Sequence, residues 1–255
     1  MKKNSCIFMS DYNRLIGEFA FFFLRIKSKI NFEEMETIEI DIPFNEFSLK
    51  GNLTIPKEAN CLVIFSHGSG SSRFSKRNNF VARILNLSNI ATLLVDLLTE
   101  AEDEIYENRF DIDLLTHRLI AITNYTSKLP SLKNLPIGYF GASTGAASAL
   151  KAAARLSHKI EAVVSRGGRP DLALADLKLI QVPTLLIVGS LDTVVINLNE
   201  QAFKFLNGYK KLTIIDGATH LFEEPGKLEE VAYLASKWFL EHMVNSKMKT
   251  HDLHR

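Results

Sequence analysis

The sequence predicts an α/β fold, an eight-stranded, mostly parallel sheet with helices on both faces. Three observations predict it. From Cys61 onward, short apolar runs alternate with stretches of helical periodicity. A G-x-S-x-G pentapeptide, Gly141-Ala142-Ser143-Thr144-Gly145, stands between an apolar run and an alanine-rich helical stretch. Polar residues suited to proton transfer, Asp192 and His220, follow directly on two later apolar runs.

The elements follow in order. Thr37 to Ile42 and Phe47 to Ile55 alternate apolar and polar residues around a turn near Asn45, the pattern of an antiparallel edge hairpin. Cys61 to Ser66 is a strand that runs into the glycine-rich segment His67-Gly68-Ser69-Gly70. Phe80, Val81, Ile84, Leu85 and Leu87 mark a helix, and Ala91 to Val95 a strand ending at Asp96. Ile112, Leu115, Leu119 and Ile122 keep helical spacing through a long helix. Pro136 to Phe140 is a buried strand, and Ala146 to Arg155 the helix after the pentapeptide. Ile160 to Val164, Pro183 to Val188 and Leu212 to Ile215 are further strands. A closing helix carries Leu228, Val231, Leu234, Ala235, Trp238 and Phe239. The short stretch between Ser165 and Pro183 leaves no room for a large lid domain, so the pocket is expected to be shallow and accessible.

A serine on a sharp strand-to-helix turn projects its hydroxyl off the sheet, with glycines where the backbone is crowded. Such a hydroxyl is a weak nucleophile until a base takes its proton and an acid orients that base. Asp192 ends one downstream strand and His220 follows another, in the chain order nucleophile, acid, base. All three fall on one edge of a parallel sheet, where open α/β sheets bind ligands. Asp171, Asp216 and Asp96 compete for the acid's place. Asp171 follows a proline like a helix N-cap, Asp216 lies too close before His220, and Asp96 ends a different strand, so Asp192 is favoured. The loop after His67 can aim N–H groups at a developing oxyanion, through Ser69 or alternatively Gly70, with the Thr144 N–H as the second donor. His67 itself is expected to order that loop. His117, His158 and His242 are expected on helix surfaces.

The segments HGSGSSRFSKRN, GASTG, GSLDTVV and GATHLFEE, in that order, resemble α/β-hydrolases, and in particular the small single-domain esterases grouped with dienelactone hydrolases. The resemblance covers roughly Glu36 to Val244. It implies the α/β-hydrolase fold, a nucleophile at Ser143, an acid at Asp192 and a base at His220. Dienelactone hydrolase itself uses a cysteine nucleophile, whereas this elbow holds serine, which favours ordinary acyl-serine ester hydrolysis over a lactone substrate. Relatives in this group are sometimes fused to phosphoribosyltransferase domains. The expected activity is a serine hydrolase cleaving small-molecule carboxylic esters with a short acyl group. The same triad also suits a thioesterase, an acyltransferase or a peptidase, and the fold alone also suits a non-catalytic binding protein.

Composition bounds the alternatives. The chain has 255 residues, 46% of them apolar, enough for one domain with a sizeable core. Thirty Lys and Arg against 29 Asp and Glu give a formal net charge of +1, which makes no case for nucleic acid. Two cysteines, Cys6 and Cys61, make no disulfide framework and suggest a reducing, cytoplasmic setting. No clustered His/Cys set suggests a metal, and nothing points to a cofactor; His251 and His254 lie in a polar tail.

The organisation expected is an N-terminal extension over residues 1–34, a hydrolase domain over 35–245 and a flexible tail over 246–255. The extension's Phe19-Ala20-Phe21-Phe22-Phe23-Leu24 run is flanked by charges. It reads as an appended helix, as an amphipathic anchor giving peripheral membrane contact, or as a segment preceding a translation start at Met35. Finally, Arg166 and Arg169 flank Gly167-Gly168 at a strand exit, and Arg73 follows the glycine-rich loop. These three are candidate substrate-binding residues if they converge on the pocket, where they would select a carboxylate or phosphate.

Overall fold

The computed structural model describes residues 35–244, together with helical residues 17–19, 21, 22 and 24. The remaining residues of the 1–34 extension and the whole 246–255 tail lie outside the described residues. The chain divides into two units, Met1–Met35 and Glu36–Arg255. The second contains the entire sheet. No helix among the described residues is long and apolar enough to cross a membrane.

Eight strands form one sheet in the order β1-β2-β4-β3-β5-β6-β7-β8. β1 (Thr37–Pro43) and β2 (Ser48–Thr54) make the expected antiparallel edge hairpin, in register from Thr37 opposite Thr54 to Pro43 opposite Ser48. Its turn closes through the Phe44 N–H, which donates to the Phe47 carbonyl at 2.8 Å. β2 also pairs antiparallel with β4 (Ile90–Val95). Every remaining pairing is parallel: β3 (Cys61–Ser66) with β4 and β5 (Ile137–Ala142), then β6 (Ile160–Arg166), β7 (Thr184–Gly189) and β8 (Lys210–Ile215). β3, β4, β5 and β7 are buried at every residue, as continuous apolar runs require when both sheet faces are covered.

The helices are α1 (Lys76–Leu87), α2 (Glu100–Glu104), α3 (Ile112–Thr126), α4 (Thr144–Arg155), α5 (Thr193–Phe205) and α6 (Lys227–Phe239). From β3 the chain steps one way to β4 through α1, and from β4 it crosses back to β5 through α3. Right-handed crossovers in opposite directions put those helices on opposite faces. Accordingly α1 packs with α6, and α3 with α4. The reversal lies at β3 and β5, and the crevice above their carboxyl ends is where such sheets bind ligands.

α5 has no counterpart in the sequence expectation. Its buried residues are Val195, Asn199 and Ala202, so a polar residue interrupts the apolar stripe, while Val194 is exposed. Asn199 is buried because its amide donates to the carbonyls of Gly168 and Val195 at 3.0 and 2.8 Å. Between β6 and β7 there are only two short 3-10 turns, Pro170–Ala173 and Leu177–Leu179, and no large lid.

β3 and α4 approach each other closely at Gly145. A Cβ there would sit 2.2 Å from the Ser66 carbonyl oxygen and 2.3 Å from that of His67, both backbone atoms. Ser66 and Ser148 hydroxyls, 2.8 Å apart, fasten the same junction. Gly145→Ala is therefore expected to lose ~3 kcal/mol or more of stability, or to accumulate unfolded, as measured by urea denaturation. An unchanged midpoint would show that β3 and α4 can separate.

Candidate active site

Ser143 sits where β5 turns into α4, with φ 53° and ψ −123°. A non-glycine residue rarely adopts that conformation, at a cost of about 1–3 kcal/mol, and it persists only where its surroundings impose it. Here the backbone is tied on both sides. The Ser143 N–H donates to the Arg166 carbonyl at 3.1 Å, and the Ser143 carbonyl accepts from Ala146 and Arg169 N–H groups at 3.1 and 3.0 Å. Gly141 is required by the same turn, since a Cβ there would lie 2.5 Å from the Ala146 Cα.

Asp192 follows β7 and occupies the N-cap position of α5, yet makes no capping hydrogen bond. Its Oδ2 instead lies 2.6 Å from His220 Nδ1. The two loops that bring them together are joined by backbone: Ser190 N–H donates to Ile215, and Leu191 N–H to Ala218, at 2.9 and 3.0 Å. Ser190 Oγ also accepts from the Gly217 N–H at 2.8 Å. Gly167, with φ +52°, passes beneath the imidazole, where a Cβ would stand 3.4 Å from both Cε1 and Nδ1. With Nδ1 held by the carboxylate, Nε2 remains for other chemistry. Ser143 and His220 line one pocket of about 200 Å³, together with Gly68, Ser69, Ser71 and Arg166. No hydrogen bond joins the Ser143 hydroxyl to His220 in this resting geometry, and such contacts commonly tighten only once substrate is bound. The structure thus brings Ser143, Asp192 and His220 to one edge of the sheet.

At the glycine-rich loop, the Ser69 N–H donates to Thr144 Oγ1 at 2.8 Å. The sequence reading places this N–H on a substrate oxygen; for that, the Thr144 hydroxyl must first turn away. His67 orders the loop, as expected from sequence. It is buried, with Nδ1 2.9 Å from the Gly68 carbonyl and Nε2 accepting from the Leu97 N–H at 3.2 Å. Burial holds its pKa below the ordinary 6.5, against the opposing pull of the Gly68 carbonyl, Asp96 and Asp103.

The three candidate arginines do not converge. Arg73 is bound to Asp96 through both backbone and side chain, and to Glu39 at 3.0 Å. It lines a separate cavity of about 660 Å³ that also borders Ser71. Arg169 forms a two-pronged pair with Asp171 at 2.9 and 2.7 Å, so Asp171 serves that arginine and is not a helix N-cap. Arg166 alone of the three lines the Ser143 pocket. It is 6% exposed, and burial, then Arg77, pull its pKa down to about 10. Arg77 and Asn78 of α1 also line the pocket. They were not legible in sequence, because polar residues in a helix's first turn ordinarily face solvent. Of the helix-surface histidines, His117 is exposed on α3, His158 is exposed but in a turn, and His242 is half-buried against Trp238, with ring centroids 4.2 Å apart. Among the described residues, no group of three or more His, Cys, Asp or Glu is placed to hold a metal ion.

A mostly parallel sheet with a serine on a strained strand-to-helix turn and an acid–imidazole pair at neighbouring strand exits defines an α/β-hydrolase fold. The model of the dienelactone hydrolase family matches residues 95–245, and the chain belongs to that family. It is similar to the crystal structure of dienelactone hydrolase from Anabaena variabilis, with 49% identity and a TM-score of 0.80, covering 83% of this chain and 100% of that one. Est1E from Butyrivibrio proteoclasticus, at 20% identity and a TM-score of 0.69, covers 80% of this chain and 98% of its own, and shares the fold. Two Mycobacterium tuberculosis proteins provisionally named phosphoribosyl transferases are 50% identical over 211 residues, which is 83% of this chain. The chain spans 46% of the length of those relatives, so their name does not pass to it.

His67 gives this loop a pH dependence of definite sign. Its native pKa is lowered, so the unfolded chain binds the extra proton. Its contribution to stability is complete above about pH 6.5 and declines as pH falls towards the native pKa, with a slope of at most about 1.4 kcal/mol per pH unit. His67→Asn is expected to flatten the unfolding free energy against pH below 6.5. Equal slopes in variant and wild type would remove this assignment.

Proposed function

We propose that the protein is a serine hydrolase of carboxylic esters acting through an acyl-serine intermediate. The observation that carries this reading is the 2.6 Å contact between Asp192 and His220 beside the elbow serine, all at one edge of the sheet. In this mechanism Ser143 attacks the ester carbonyl as His220 Nε2 accepts its proton. Asp192 fixes the imidazole with Nδ1 protonated and stabilises the imidazolium that forms. The tetrahedral oxyanion is held by the Thr144 N–H at the start of α4 and by the Ser69 N–H once released from Thr144 Oγ1. His220 then protonates the leaving alcohol, and water attacks the acyl-serine by the same route in reverse.

The pocket supports a short acyl group. Its volume of about 200 Å³ suits a small group seated beside Ser143. The family membership supports hydrolysis, and the serine supports an oxygen ester intermediate.

A fluorophosphonate probe reacts only with an activated serine, and labelling is expected for the wild type and absent for Ser143→Ala. Turnover of a short-chain acyl ester should disappear with it while the melting temperature stays unchanged. Turnover persisting in Ser143→Ala would require another nucleophile. Asp192→Asn should keep the elbow intact but lower kcat by roughly four orders of magnitude at neutral pH, because the imidazole then takes the wrong tautomer. A loss smaller than tenfold would remove Asp192 from the mechanism.

A further inference from the structure

Arg166 is a buried cation that no carboxylate answers. Among the described residues, Arg73, Arg77, Arg109, Arg118, Arg155 and Arg169 each have an acidic partner. Arg166 has none. It is 6% exposed, its Nε has no hydrogen-bond partner, and Nη2 reaches only the neutral Asn78 Oδ1 at a long 3.5 Å. The Phe222 ring, 5.9 Å from the guanidinium, compensates a cation weakly. A charge buried this way is strongly unfavourable unless something else pairs with it. Position says what that is, because the side chain lines the same pocket as Ser143 and His220.

The other groups around it share its sign. Ser75, Arg77 and Asn78 also line the pocket, so the amino end of the 12-residue helix α1 borders it with about half a positive charge. Ser71 adds a hydroxyl. Two acids stand close to these groups, and each already has a partner: Glu223, 62% exposed, pairs with Arg77 at 2.6 Å, and Asp192 pairs with His220 at 2.6 Å. With both acids so engaged, Arg166 and the helix end are left without an acidic partner of their own. A carboxylate carries one negative charge, whereas a phosphate monoester carries about 1.5 to 2 and offers three acceptor oxygens.

We propose that the pocket binds a phosphate group carried on the substrate, held by Arg166 together with Arg77, Ser71 and the amino end of α1. In its kinetic form this rests on the esterase reading above, and it names the substrate class as small phosphorylated esters. The phosphate is recognised and left intact; the acyl ester is the bond cleaved at Ser143.

Two measurements test the proposal separately from the esterase reading. The first uses Ser143→Ala protein, so no turnover is involved, and titrates inorganic phosphate at constant ionic strength against chloride. The melting temperature should rise by roughly 3 °C or more and the rise should vanish when Arg166→Met is added. Without phosphate, the Arg166→Met protein should melt at or above its parent, which a merely structural arginine would not allow. The second compares kcat/KM for matched acetyl esters of propanediol, lactate and propanediol phosphate. The phosphate-bearing ester should be preferred over the neutral one by roughly 10- to 100-fold, and the ratio should collapse in Arg166→Met and partly recover in Arg166→Lys. Absence of a phosphate-dependent shift, or a preference for the lactate ester, overturns the proposal while leaving the esterase standing. A phosphate shift in a protein that no fluorophosphonate labels would retain the binding site and sink the esterase.

Discussion

The arrangement depends on how the Ser143 backbone is held. A serine at φ 53° relaxes unless its neighbours fix it, and here both of its peptide groups are hydrogen-bonded to the loop that leaves β6, at Arg166 and Arg169. That loop runs Arg166-Gly167-Gly168-Arg169. Gly168 must lack a side chain because a Cβ would overlap Ser165 Oγ, at 1.9 Å, and press on Ala146 in α4, at 2.6 Å. Gly167 passes under His220. One four-residue segment therefore sets the strained serine, seats the imidazole and presents a buried guanidinium to the same pocket. Three functions sharing one backbone segment cannot drift apart independently.

The electrostatic pattern has the same economy. Carboxylates are distributed so that nearly every arginine around the cleft is neutralised: Arg73 by Asp96 and Glu39, Arg77 by Glu223, Arg169 by Asp171. The Arg77–Glu223 pair is exposed and contributes little to stability, whereas Arg73–Asp96 and Arg169–Asp171 are partly buried. Their effect is to occupy the neighbouring charges, leaving Arg166 as the buried guanidinium without an acidic partner beside the elbow serine. Asn199 supports this from behind, joining α5, whose N-cap is Asp192, to the Gly168 carbonyl. The helix that Asp192 begins and the segment that tethers Ser143 thus share a buried hydrogen bond.

Most of the framework was legible in the sequence because it follows from periodicity. Strands buried on both faces read as unbroken apolar runs, and the elbow declares itself through two glycines at fixed spacing. Chain order then brought Asp192 and His220 to one edge. What was not legible depends on choices among partners that are distant in sequence. Arg73, Arg166 and Arg169 look alike as residues; two find carboxylates, at Asp96 and Asp171, and one does not. Residues 166 and 169 are three positions apart, yet only Arg166 points into the pocket, because it is the last residue of β6 whereas Arg169 lies beyond the turn. α5 escapes a reading by periodicity because its core-facing stripe contains Asn199, a polar residue whose burial makes sense only beside the Gly168 carbonyl. Sequence points to Thr144 through its backbone N–H alone, and nothing in it says that the hydroxyl reaches Ser69 across the fold.

That last contact bears on the proposed chemistry. Before any substrate arrives, the N–H proposed for the oxyanion already has an acceptor, Thr144 Oγ1 at 2.8 Å. The bond also fixes the direction in which the loop donor points before substrate arrives. A neutral hydroxyl is the weaker acceptor, and a tetrahedral oxyanion forms a charge-assisted bond about twice as strong. Exchange therefore favours the transition state over the ground-state carbonyl, whose oxygen competes with the hydroxyl on nearly equal terms. Rotation of one threonine side chain makes the exchange without moving the backbone, so the donor remains oriented throughout. On the proposed mechanism, this loop discriminates in favour of the reacting species because its resting state is already hydrogen-bonded.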